Sequence, residues 1–292
     1  MKIDIEDRIE YYLGNTKYSK ELPEGNGSTV NSPFIYKGQC DLYQEDVERL
    51  SSRTNKQLWF QCGDKRYVGP NFPIITKTRD THNSESKGII GSLEYYRHFG
   101  MMPHILQVDM PWEAKESKMV WRGATTGINK DDRKCSRLDF VRQYSDSYDV
   151  GFASIAGNWA KNNLETCNLY YKGGMSTAQM SRYKYLPVLD GNDKASALNW
   201  ILLSNSVPIM PKPRFHSWLC EKFLLPNIHY VELKDDYSDL PERLDWCVSH
   251  DSECKHIAAN GTDFIISNFN RESEIEAEKL LVENVDKLYN NL

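Results

Sequence analysis

Apolar residues in this chain recur at two spacings, and near its middle the spacings follow each other in the order strand, helix, strand. Residues 185–189 form a short apolar run ending at Asp190-Gly191, residues 195–203 place apolar groups as a helix does, and residues 207–210 are apolar again. That order predicts a βαβ unit, whose first turn opens onto the amino end of its helix. Gly191 suits a tight turn, and the unpaired N–H groups and positive dipole end of the next helix suit an anion. A phosphate-bearing ligand is the guest this stretch predicts.

The same reading extends along the chain. Ile3, Ile5, Ile9 and Leu13 predict an amphipathic helix, residues 15–30 are rich in turn formers, and a helix is expected over 37–50. Strands are expected over 57–62, 74–78 and 104–108, with a helix over 89–98. Residues 119–121 predict a strand entering the small-residue loop 122–127, followed by a helix over 133–144 and a strand over 150–155. Residues 158–181 read as polar and irregular. Beyond the central unit come helices over 214–223, 240–248, 252–268 and 273–289, and a strand over 229–233. Alternating strands and helices predict an α/β fold, and 292 residues suit two domains. The division expected is one α/β domain over 1–112, joined by the last helix at 270–292, and a second α/β domain over 113–269.

Composition narrows the classes. A net charge of -5 excludes a general polyanion binder, so no nucleic-acid partner is expected, while 17 Tyr and 7 Trp supply stacking surfaces for sugars or bases. The seven cysteines form no CxxC pair and no regular spacing with histidine, which argues against zinc, and their odd number argues against a disulfide framework. The first residues are acidic where a signal peptide needs a basic end, and no window holds the ~18 apolar residues of a membrane span. A cytoplasmic protein is expected.

Several groups could carry chemistry. Arg122 and Gly123 follow the 119–121 strand and Arg137 lies within about four helical turns of chain downstream; the two guanidinium groups could clamp a phosphate, or be surface groups or partners of Asp131, Asp132 or Asp139. Asp190, Gly191 and Asn192 could hold ribose or phosphate, or cap a helix locally. Lys212 and Arg214 follow a strand where a parallel sheet faces its ligand, and Glu221 could accept from a ribose or be solvated. Asp80, after the 74–78 strand, is a candidate general base with His82 and His104 as competitors, or an Arg79-Asp80 surface turn. Neither GxxxxGK[ST] nor GxGxxG occurs, nor an Asp-x-Asp after an apolar strand.

Trp121-Arg122-Gly123, Lys184-Tyr185-Leu186 leading to Asp190-Gly191-Asn192, Leu203-Ser204-Asn205-Ser206-Val207, and His229-Tyr230-Val231 before Leu233-Lys234-Asp235-Asp236-Tyr237-Ser238-Asp239-Leu240 resemble glycosyltransferase family 90. The resemblance covers 70–265 and implies a GT-B architecture of two Rossmann-like domains facing a cleft. It also implies inversion at the sugar carbon without a metal, so no cofactor is expected. Asp80 falls at the family's Arg-Asp base, and Arg122 and Arg137 fall on the diphosphate side. Thr125 stands where relatives often have a second Arg and Leu198 where many have an Arg, so Lys194, Lys212 or Arg214 would supply the missing charge.

The function expected is therefore an inverting transferase moving xylose or glucose from a UDP-sugar to a hydroxyl of a glycan acceptor. Asp80 would take the acceptor proton. Arg122, Gly123, Arg137, Asp190, Gly191, Asn192, Lys212, Arg214 and Glu221 would hold the donor. A noncatalytic nucleotide-sugar or glycan-binding protein on the same scaffold is the alternative.

Overall fold

A computed structural model of the chain describes residues 2–20, 34–37, 41–64, 67, 71–95, 102–128 and 135–291. In chain order its strands are β1 (Phe34–Lys37), β2 (Trp59–Gln61), β3 (Ile75–Thr76), β4 (Thr78–Asp80), β5 (Ile89–Ile90), β6 (Glu116–Ala124), β7 (Asp149–Ser154), β8 (Tyr183–Pro187), β9 (Val207–Pro211), β10 (Phe215–Ser217) and β11 (Val231–Leu233). The chain divides into two compact units. One comprises Met102–Pro213 and Leu224–Ile266; the other comprises Lys2–Met101, Arg214–Phe223 and Ser267–Leu292.

The first unit is built on a parallel five-stranded sheet in the order β11-β9-β8-β6-β7. β8 and β9 are buried almost from end to end, which is why their sequences, YKYLP and VPIMP, are nearly continuous apolar runs instead of alternating ones. Phe140 and Val141 from the helix Arg137–Tyr144 and Leu244 and Cys247 from the helix Leu240–Ser249 pack with Trp121, Phe152, Tyr185 and Ile209 in one core. Numbered within this unit the strand order is 2-1-3-4-5, a doubly wound order that reverses between β6 and β8.

The second unit carries a parallel four-stranded sheet, β1-β2-β3-β5, and the short antiparallel pair β4 and β10. Asp4 caps the helix Ile5–Leu13, and the buried Arg8 on that helix pairs with the buried Glu274 of the helix Arg271–Asn291. Trp218 Nε1 donates to the same carboxylate at 2.6 Å, and Arg53 reaches Glu278 of that helix at 3.0 Å. Two ends of the sequence thus close one core.

The central βαβ unit forms as expected, as does a helix over each of the last three predicted stretches, with bounds Leu240–Ser249, Asp251–Asn268 and Arg271–Asn291. Four expectations differ. Residues 105–108 are helical, and in so short an apolar run only Ile105 is buried. Ile89–Ile90 is a strand beside β3, and residues 96–98 of that expected helix lie outside the described residues, as do 21–30, Cys40 and 131–134. The 158–181 stretch holds three short helices, Asn158–Asn162, Leu164–Leu169 and Thr177–Met180. The expected helix over 214–223 is instead β10 and a single 3-10 turn, and the segment belongs to the unit that holds residues 2–101, not to the five-stranded one.

Among the described residues no helix is long and apolar enough to cross a membrane. Cys62 is disulfide-bonded, against the expectation drawn from the odd number of cysteines; Cys135, Cys167, Cys220, Cys247 and Cys254 are free.

Candidate functional site

The crevice in a doubly wound sheet lies beyond the carboxyl ends of its strands where the order reverses, here between the loops after β6 and β8. The β6 loop is pinned first. Thr125 Oγ1 donates to Ala156 O at 2.9 Å and accepts from Ala156 N at 2.7 Å, which ties it to the loop after β7. Gly127 N then donates to Asn192 Oδ1 at 3.2 Å, joining it to the loop after β8.

Arg137 spans the two loops. It opens a helix whose amino end is fixed by a capping box between Ser136 and Asp139, so the local sequence sets where its side chain starts. Its guanidinium donates to Leu189 O at 2.7 Å from Nη2 and 3.2 Å from Nε, and from Nη1 to Ala124 O at 3.0 Å and Thr126 Oγ1 at 2.8 Å. It also lies 5.8 Å from the centre of the Trp121 ring. One planar cation holds both crevice walls in register, a geometry a single ammonium does not reproduce. Gly191 makes that approach possible: a Cβ there would stand 2.9 Å from Thr126 Oγ1 and 3.2 Å from Arg137 Nη2.

Asp190 Oδ1 accepts from Ala195 N at 3.3 Å, and the helix that follows begins only at Ala197, six residues past Gly191. Its amino end is therefore not at the turn, which corrects the expected dipole site. Lys194 is buried with Nζ donating to Asn199 Oδ1 at 3.0 Å, and Leu198 is buried in the core. Lys212 is exposed at the carboxyl end of β9.

Arg122 points elsewhere. β6 and β7 run parallel with Val120 opposite Asp149, and Arg122 reaches back to that level, donating to Asp149 Oδ1 at 2.7 Å and Asp149 O at 3.0 Å. It faces the amino end of the sheet, away from the crevice. Gly123 has a packing reason, since a Cβ would come within 2.4 Å of the Trp121 ring. Residues two apart on a strand share a face, and this indole needs the space.

Asp80, Arg214 and Glu221 all lie in the other unit. β4 and β10 pair with Asp80 opposite Phe215, which brings Arg214 alongside: Nε donates to Asp80 Oδ1 at 2.8 Å and Nη2 to Oδ2 at 2.7 Å. Oδ1 also accepts from His82 N at 3.0 Å, and the Asp80 side chain is 0% exposed. Arg79 turns the other way, donating to Tyr12 O at 2.8 Å, Gly88 O at 3.1 Å and Tyr11 O, where it finishes the helix Ile5–Leu13. The two residues form no surface turn. His82 and His104 are exposed.

Glu221 is 2% exposed and accepts from Ser217 N at 2.7 Å, Ser217 Oγ at 2.6 Å and Tyr11 OH at 3.2 Å. It organises the turn after β10, which corrects its expected place as a ribose contact. Among the described residues no group of three or more His, Cys, Asp or Glu is placed to hold a metal ion.

The sequence reading missed Thr126, Thr125's role as a pin, and the Asp80–Arg214 pair. Hydroxyls that bridge loops leave no periodic signal, and the ion pair joins positions 134 residues apart.

The family described as Glycosyl transferase family 90 matches residues 101–281. The O-glucosyltransferase LpsA of Dichelobacter nodosus is 30% identical over 279 residues, covering 94% of this chain and 80% of that protein. Protein O-glucosyltransferase 2 of Danio rerio is 29% identical over 217 residues, 74% of this chain and 40% of that one. Among solved structures, that of TarM aligns over 73% of this chain and 50% of that one, at a TM-score of 0.45 and 12% identity.

Proposed function

The chain belongs to glycosyl transferase family 90, and we propose that it is an inverting glycosyltransferase of GT-B type, moving a sugar from a UDP-sugar to a hydroxyl of a glycan acceptor without a metal. The observation that carries this reading is the crevice at the strand-order reversal, where Arg137 and Gly191 bring a guanidinium and bare backbone together. The relatives named as O-glucosyltransferases favour glucose over xylose as the sugar transferred.

In this mechanism the donor diphosphate sits at the crevice. Arg137 keeps the two loops in place and supplies positive charge, Asn192 and Asp190 fix the β8 loop, and Lys212 at the end of β9 adds a second cation. As the bond from the sugar carbon to the diphosphate breaks, these groups and the loop N–H donors stabilise the charge that develops on the departing UDP. Asp80 accepts the proton of the attacking acceptor hydroxyl. Arg214 holds the plane of that carboxylate through two hydrogen bonds, and acceptor binding has to open access to it.

The test is a screen of UDP-glucose, UDP-xylose and other UDP-sugars for UDP release, with EDTA present and glycan acceptors added. Release from UDP-glucose is expected. No release from any UDP-sugar, together with no UDP binding by calorimetry, would sink the proposal. The rival, a noncatalytic nucleotide-sugar or glycan-binding protein, draws on one observation, the complete burial of the Asp80 side chain against Arg214. UDP binding without turnover on any acceptor would select it.

A further inference from the structure

At the end of the five-stranded sheet opposite the crevice, the starts of β6, β7 and β8 and the helix Leu240–Ser249 border a cleft of about 360 Å³. That is near the small end of the roughly 300–1,000 Å³ typical of small-molecule sites. Met119, Tyr185 and Leu244 give it a buried apolar lining, while Tyr148 and Tyr183 are half-buried and Asp245 is exposed. The hydroxyls of Tyr148 and Tyr183 and the carboxylate of Asp245 have no hydrogen-bond partner among the described residues.

Charge decides what kind of guest fits. Glu116 pairs with Lys118 at 3.1 Å, and Asp149 pairs with Arg122 at 2.7 Å and Lys172 at 3.5 Å. Lys118 on the rim and Arg122 and Lys172 behind it thus offset Glu116 and Asp149, which leaves Asp245 as the rim's unpaired carboxylate among the described residues. A cation gains little there beyond Asp245, and an anion meets that carboxylate unscreened. A pyranose ring suits the lining better: its C–H faces pack on phenol rings and on Met119, and its hydroxyls donate to a carboxylate and exchange hydrogen bonds with phenols.

We propose that this cleft is a second carbohydrate site, holding one neutral pyranose of a glycan a strand's length away from the crevice. Its lining alone carries the inference, so it goes beyond the donor-site reading and stands or falls apart from it. A glycan held there by one ring stays near the protein between encounters, which raises its effective concentration.

The experiment uses the full chain labelled with ¹³C at its methionine methyl groups, titrated with methyl β-D-glucopyranoside to about 100 mM, above the millimolar Kd that a single ring commonly reaches. The Met119 signal, assigned with Met119→Leu, is expected to move saturably. In Asp245→Asn the same movement should need about tenfold more glycoside, since a charge-assisted hydrogen bond is lost; Tyr183→Ala should weaken it too. Asp245 is exposed, so its variant folds even where the tyrosine variant does not. A Met119 signal that stays still, or one that moves identically in Asp245→Asn, overturns the proposal. So does a stronger response to tetramethylammonium than to the glycoside.

Discussion

Asp80 and Arg214 meet in a two-bond fork at 2.8 and 2.7 Å, because β4 and β10 pair in a register that sets Asp80 beside the residue preceding β10. The pair is buried on the aspartate side.

Removing the basicity of Asp80 while keeping its shape separates chemistry from architecture. Asp80→Asn should lower turnover by roughly 10²- to 10⁴-fold with UDP affinity unchanged. Arg214→Ala leaves a buried carboxylate unpaired and should lower stability by about 3–5 kcal/mol, read from urea denaturation. Near-normal transfer by Asp80→Asn would move the base elsewhere, and an Arg214→Ala protein as stable as the parent would mean the fork contributes nothing.

Arg137 and Arg122 should behave as opposites. Calorimetry with UDP is expected to show roughly 10- to 100-fold weaker binding for Arg137→Ala, the worth of a charge-assisted contact, with little recovery in Arg137→Lys. Arg122→Ala should bind UDP like the parent and lose stability, since its partner Asp149 lies at the other end of the sheet. The reverse pattern would place the diphosphate away from the crevice.

Chelation gives a third outcome. Turnover should survive EDTA, because the proposed charge neutralisation rests on Arg137, Lys212 and backbone N–H groups. Activity abolished by EDTA and restored by manganese or magnesium would contradict it.

A pH prediction follows from His229. Its Nδ1 accepts from Leu225 N at 3.0 Å, and burial holds the imidazole down at about 4 instead of 6.5. Between these values the unfolded chain binds a proton that the folded chain refuses, so stability rises with pH there. Its contribution is intact above pH 6.5, falls as the pH drops and is lost through about pH 4. Urea midpoints across that window should slope less in His229→Gln than in the parent; equal slopes would assign the dependence to other groups.

Much of the fold could be read from the sequence wherever burial is complete. β8, the helix Ala197–Leu202 and β9 fall where their apolar runs and spacing put them, because a parallel sheet covered on both faces imposes that pattern. The site was less legible. Asp190, Gly191 and Asn192 came from turn chemistry, and Arg137 from its nearness along the chain to Arg122, yet which loops meet depends on strand order, which no local pattern encodes. Arg122 was misplaced because a strand residue's charge says nothing about which end of the sheet its side chain reaches. Glu221 failed for a similar reason: its partners Ser217 and Tyr11 sit on a turn and a helix that one-dimensional spacing does not connect.

The second unit draws on three separate stretches, and the last of them, from Ser267, brings Glu274 to Arg8 and Glu278 to Arg53. A ribosome makes Arg8 long before Glu274. Until the final stretch emerges, the opening helix has its buried arginine without a counter-charge, whereas every strand of the five-stranded sheet is complete once Leu233 has been added. Synthesis therefore favours the five-stranded unit folding first and leaves the other to close once residues 267–291 have emerged, so that loss of the helix Arg271–Asn291 alone would leave its core open.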